Sequence, residues 1–289
     1  MKKVLALVLA LLMAALMFGL TGCGGKTSTD VTTAAPDAPT EAAKLVILDE
    51  PFSSEQYGIG FKKGNTELRD AVQAGLYQIF AEGKVAELAE KYGIADMVCL
   101  DSANATTFDV EAATEEFKAR KTFTVGFDAE YPPYGYMDDD GSYTGFDLEL
   151  AEAVCAIYGW ELVKQPIDWE SKDTELDSGS IDVIWNGFTK TGREDQYTWT
   201  DAYVDNTIVI MTMSDSGIKS VDDLAGKIVV AQQGSSAQTA LDDDTELVAK
   251  LGGYELVADY NTAVMNLKSG IVDAVAIDIG VAEYQMANQ

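Results

Sequence analysis

Arg193, Asp278 and the pair Ser235 and Ser236 are the side chains whose type and setting are best suited to chemistry. Arg193 is one of only three arginines in 289 residues, and a planar guanidinium matches a carboxylate bidentately. A surface ion pair is its bland alternative. Asp278 follows the apolar run 272–277, where a carboxylate is an odd strand terminator but a good partner for a cation. Gly234, Ser235 and Ser236 precede a helix-forming stretch, so they read as a plain cap or as an anion-facing helix start. There is no histidine, which removes Ser-His-Asp and Cys-His catalysis and most zinc sites. No catalytic residue, metal site or cofactor is expected. Cys23, Cys99 and Cys155 allow at most one disulfide. Cys99 and Cys155 read as buried thiols. With 48 acidic against 20 basic side chains, the net charge is −28, a surface that repels nucleic acid and anionic headgroups.

The elements that must hold these groups begin after a long leader. Lys2 and Lys3 precede the apolar run 4–18, the pattern of a secretory signal. A membrane span is the competing reading, but the run is shorter than the ~20 residues a span needs. Leu20, Thr21, Gly22 and Cys23 resemble a bacterial lipobox, with cleavage before Cys23 and acylation of its thiol and freed amine. More than one acyl chain gives stable anchoring. Residues 24–43 are rich in Thr, Ala, Pro and Asp and read as a flexible tether.

From residue 44 onward, strand and helix patterns alternate. A β-type run at 44–48 and a break at 51–55 lead to a strand at 57–61. Asn65 or Thr66 caps a helix with Leu68, Val72, Leu76, Ile79 and Phe80 on one face. A second helix, 85–92, ends at Gly93. Strands are expected at 123–127, 181–185, 208–213, 228–231 and 272–277. Helices follow Asp147, the capping box at Ser220 to Asp223, and Ser236. The sum is an α/β protein with mostly parallel sheets, whose ligands sit off the carboxyl ends of strands.

Several of those strand ends resemble the polar amino acid family of periplasmic-type binding proteins, which has the two-lobed type 2 fold and serves ABC importers. Phe127, Asp128, Tyr131, Pro132, Pro133 and Tyr134 resemble its first strand and binding loop. Gly145, Phe146 and Asp147 match its next helix start. Asn186, Gly187, Phe188, Thr189 and Arg193 resemble its carboxylate-binding segment. Gly234 to Ser236 and Asp273 to Asp278 look like the second lobe's share. The resemblance implies that Arg193, Thr189, amides near Asn186 and Gly187, Ser235 and Ser236 hold a ligand carboxylate. It gives the ammonium to Asp278 and aromatic contact with the side chain to Tyr131 and Trp169. Asp128 meets a basic or amide side chain or only braces its loop; Glu130 and Gln233 are weaker candidates.

The order departs from that family. The segments resembling 45–61 and 89–93 close the chain there and come first here, so joining Gln289 to Lys44 restores the usual sequence. We read this as a circular permutation with the old termini fused through about 101–121. The expected parts are a signal peptide at 1–22, a tether at 23–43, the last strand of the second lobe and a hinge at 44–55, the first lobe at 56–207, and the second lobe at 208–289. Expected partners are a polar amino acid and an ABC permease, with membrane contact through the lipid alone, no nucleic acid, and a monomeric state. Closure is expected about crossings near 53–57 and 202–206. Two other functions fit the same fold: a dehydratase-type enzyme using Glu130 or Asp128 as acid, and a sensing ectodomain.

Overall fold

The computed structural model describes residues 42–107, 117 and 119–289. The signal and lipobox expectations, most of the tether, and residues 108–116 and 118 of the fused segment lie outside those residues. Residues 42–289 pack as one compact unit.

Two sheets carry the architecture. The first has five strands in the order Thr198–Trp199, Gly60–Phe61, Val183–Ile184, Thr122–Phe127, Glu161–Pro166. The second runs Leu45–Ile47, Val204–Met213, Ala274–Asp278, Ile228–Gln232, Gly253–Val257. Its sixth strand, Ser53–Tyr57, pairs with the first half of the long Val204–Met213 strand, from Val204 opposite Tyr57 to Ile208 opposite Ser53. These two antiparallel strands cross between the sheets, where the sequence places its hinge.

Local sequence explains most elements. Phe123, Val125 and Phe127 alternate inward along their strand, and Val275 and Ile277 do so in the second sheet, all wholly buried. The helix Thr66–Ala81 buries Leu68, Val72, Leu76 and Ile79, as its spacing requires, and the helix Lys84–Tyr92 ends on Gly93 with φ 74°. The first of these lies against the helix Phe146–Tyr158. Contact is close because Gly75 has no Cβ, which would fall 2.9 Å from Val154.

Several expectations needed correction. The break at 51–55 is shorter than its residues implied, since Ser53 already opens a strand. Asn65 sits at its helix start without a capping side-chain bond. Asp147 is not a cap either: its helix starts at Phe146 and the carboxylate turns into the interior. The capping box at Ser220 is present, on a short 3₁₀ turn. The sheets are mixed rather than mostly parallel. Thr122–Phe127 and Ile228–Gln232 pair in parallel with both neighbours, while Val204–Met213 and Gly60–Phe61 join Ala274–Asp278 and Val183–Ile184 antiparallel.

Candidate functional site

Four parallel strands end at one cleft between the sheets. Asp128 follows Thr122–Phe127 and Asn186 follows Val183–Ile184. Gln232 ends Ile228–Gln232, and Asp278 ends Ala274–Asp278. This is the edge at which open α/β sheets receive ligands. The cavity there is nearly closed, with about 10 Å³ of free room, about what one water needs.

Nine of the ten ligand residues expected from sequence line this one cavity. Tyr131, Trp169, Asn186, Gly187, Thr189 and Arg193 come from the first sheet's side; Ser235, Ser236 and Asp278 come from the second, together with Gln232. Asp128 is the tenth. It borders a neighbouring cleft that shares Trp169 and also carries Glu130, Asp168 and Asp259. Gln233 is exposed and outside the cavity, whereas its neighbour Gln232 donates to Asp128 Oδ2 at 2.5 Å. Glu130 accepts a bond from Asn261. Burial pushes the Asp128 carboxyl up to about 6.

Arg193 is half-buried, with its guanidinium 5.5 Å from the Phe188 ring and Nη1 donating to the Thr189 carbonyl at 3.3 Å. Among the described residues no carboxylate pairs with it. A cation held this way in a cavity wall is a receptor for an anion.

The opposite pole is Asp278, wholly buried. Its Oδ1 accepts from Tyr57 Oη at 2.6 Å and Asn206 Nδ2 at 2.7 Å. Tyr131 joins through the Tyr57 hydroxyl at 3.0 Å. Tyr134 and Tyr260 complete an aromatic wall, with rings 5.5 and 5.8 Å from that of Tyr131. Desolvation raises the Asp278 carboxyl above its ordinary range. Burial, followed by the nearby Asp278 charge, holds the Tyr57, Tyr131 and Tyr260 hydroxyls well above theirs. The tyrosines therefore remain neutral, and Tyr57 is a fixed donor to Asp278. A carboxylate buried among neutral groups favours an incoming cation.

Two expected donors are already engaged. Gly187 N donates to Asp147 Oδ2 at 2.5 Å, and Tyr203 Oη donates to Asp147 Oδ1 at 2.8 Å. Burial pushes that carboxyl up to about 7. Ser235 Oγ caps its helix through Gln238 N at 3.1 Å and donates to the Gln232 carbonyl at 2.7 Å. The backbone at Gly187 needs glycine twice over, with φ 54° and a Cβ that would meet Tyr131 at 2.7 Å.

Sequence reasoning missed Glu55, Tyr57, Asp147, Asn206, Gln232 and Tyr260. Glu55 and Tyr57 carried a readable signal: two residues apart on a strand, they share a face, and both are buried.

The description of bacterial extracellular solute-binding proteins, family 3, matches residues 123–276, more than half of the chain. The chain belongs to this family and has a substrate-binding role. It is 28% identical over 200 residues to the L-cystine-binding protein TcyJ of Escherichia coli (strain K12), covering 68% of this chain and 74% of that one. It is 34% identical over 166 residues to the arginine-binding extracellular protein ArtP of Bacillus subtilis (strain 168), covering 57% and 64%. An ABC uptake transporter substrate-binding protein from Streptococcus pneumoniae with bound histidine superposes with TM-score 0.58 and 35% identity, over 60% of this chain and 72% of that one. An ancestral amino acid-binding protein, described as a precursor of cyclohexadienyl dehydratase, superposes with TM-score 0.56 and 29% identity, over 61% and 78%.

Proposed function

We propose that this chain is an extracytoplasmic lipoprotein that captures a polar L-amino acid between its two sheets and delivers it to an ABC permease. The observation that carries this reading is the bipolar cavity, with the guanidinium of Arg193, which has no carboxylate partner among the described residues, at one pole and the buried carboxylate of Asp278 at the other. A zwitterion needs both. The ligand carboxylate takes Arg193 with Thr189 and Ser236, its ammonium takes Asp278, and its side chain runs between Tyr131 and Trp169 toward Asp128. The acids at Asp128, Glu130, Asp168 and Asp259 favour a side chain that is cationic or donates hydrogen bonds. Relatives named for arginine, histidine and cystine support the amino acid class.

The permuted order belongs to the same proposal. Strands at 45–47 and 53–57 precede the matched segment in the chain, yet pair with its Val204–Met213 strand. Leu45 N donates to Gln289 Oε1 at 2.6 Å, so the two ends that a conventional order would join are neighbours. Acylation at Cys23 then anchors the protein through a tether that enters the chain at its second lobe, as a monomer.

A thermal-shift screen of the purified chain against the twenty amino acids tests the function. A true ligand at 100 times its Kd raises stability by about 2.7 kcal/mol, and Arg193→Ala and Asp278→Ala each remove the shift. No shift with any amino acid sinks the reading. Conversion of a bound compound, seen by mass spectrometry, would instead support the dehydratase-type reading, which the ancestral neighbour keeps in view.

A further inference from the structure

One charged group in the cleft has no role in that ligand pose. Glu55 stands on the crossing strand Ser53–Tyr57, and its carboxylate is buried. A single oxygen, Oε1, accepts from Thr189 Oγ1 at 2.8 Å, Asn206 Nδ2 at 2.8 Å and Ser236 Oγ at 3.0 Å. The first donor belongs to one lobe, the last to the other, and the second to the crossing strand between them. Thr189 and Ser236 are also the hydroxyls that the proposed pose gives to the ligand carboxylate.

We infer that Glu55 is an internal carboxylate that latches the two lobes by occupying donors a ligand carboxylate takes, so that binding exchanges one carboxylate for another. The inference rests on the ligand pose proposed above.

The surroundings allow the exchange. Glu55 forms part of the wall of a second cleft, with Ser54, Thr191, Arg193 and Ser236, so a displaced side chain has a polar space to enter. Arg193 and Asp243 line that cleft; Asp278 faces Glu55 from within the site, along with the neutral Tyr57, Tyr134 and Tyr260. Burial first, and then the Asp278 charge, push the Glu55 carboxyl above the usual carboxylate range. The competitor is therefore more fully ionised at pH 8 than at pH 6. A neutral carboxyl is a weaker acceptor and yields its donors more readily.

Two measurements on the full chain test this. Small-angle scattering at pH 8 without added amino acid compares wild type, Glu55→Gln and Glu55→Ala. Calorimetric titration with L-arginine, L-histidine and L-cystine then compares wild type and Glu55→Gln at pH 6 and pH 8. The latch predicts a larger radius of gyration for Glu55→Ala. It also predicts that Glu55→Gln binds the responding amino acid about tenfold tighter than wild type at pH 8, as expected when a charged competitor for hydrogen bonds is removed. The wild-type weakening from pH 6 to pH 8 is reduced in the variant. Equal radii in all three proteins overturn the latch. Weaker binding by Glu55→Gln overturns the exchange and gives Glu55 to the ligand ammonium instead. If wild type binds none of the three, the titration uses the amino acid that responds in the thermal-shift screen; if none of the twenty responds, the pose fails and the scattering comparison alone decides the latch.

Discussion

Replacing Asp147 by asparagine should flatten the dependence of stability on pH. The Asp147 carboxylate is wholly buried and rises from 3.8 to about 7, chiefly because burial disfavours its charge. Its folded value lies above its unfolded value, so its contribution to stability is fully present below pH 3.8 and is lost as pH rises through 7. At about 1.36 kcal/mol per unit, the full span is about 4 kcal/mol. Between pH 5 and pH 8 the loss is about 3 kcal/mol. Surface charge repulsion also weakens the protein as pH rises, because the chain carries −28, so wild type alone is an ambiguous witness. The difference between wild type and Asp147→Asn isolates the buried group. Urea unfolding at pH 5, 6, 7 and 8 should show wild type losing about 3 kcal/mol more than the variant across that range. Parallel slopes for the two proteins would refute the argument, because they would mean that Asp147 is ionised in the native state throughout.

Other consequences are simpler to check. Gly187→Ala forces a side chain into left-handed backbone against Tyr131, which should cost about 1–3 kcal/mol in urea unfolding and weaken amino acid binding. Burial pushes the thiols of Cys99 and Cys155 up to about 12; peptide mapping after iodoacetamide at pH 8 should find both slow in native protein and fast in urea. A gene rearranged to place residues 44–107 after Gln289 should yield a protein with the same circular dichroism and the same thermal shift. Loss of folding on that rearrangement would count against the permutation.

The sequence by itself determined the periodicity of the elements and the chemistry of the two poles. Apolar alternation at 123–127 and the helical spacing from Leu68 to Ile79 report burial directly, so those elements were legible. Arg193 and Asp278 were legible too, because an uncommon guanidinium and a carboxylate closing an apolar strand are local anomalies. What sequence could not supply was the assignment of partners. Nothing near Glu55 in the chain marks Thr189, Asn206 and Ser236 as its donors, since they lie 134, 151 and 181 residues away. Asp147 looked like a cap because local pattern cannot distinguish an aspartate facing solvent from one turned toward Gly187 and Tyr203. The mixed sheets escaped for the same reason: strand direction is fixed by which crossing strands meet. Only tertiary structure brought Glu55 between the lobes, because a carboxylate's place in a site depends on distant donors converging on it.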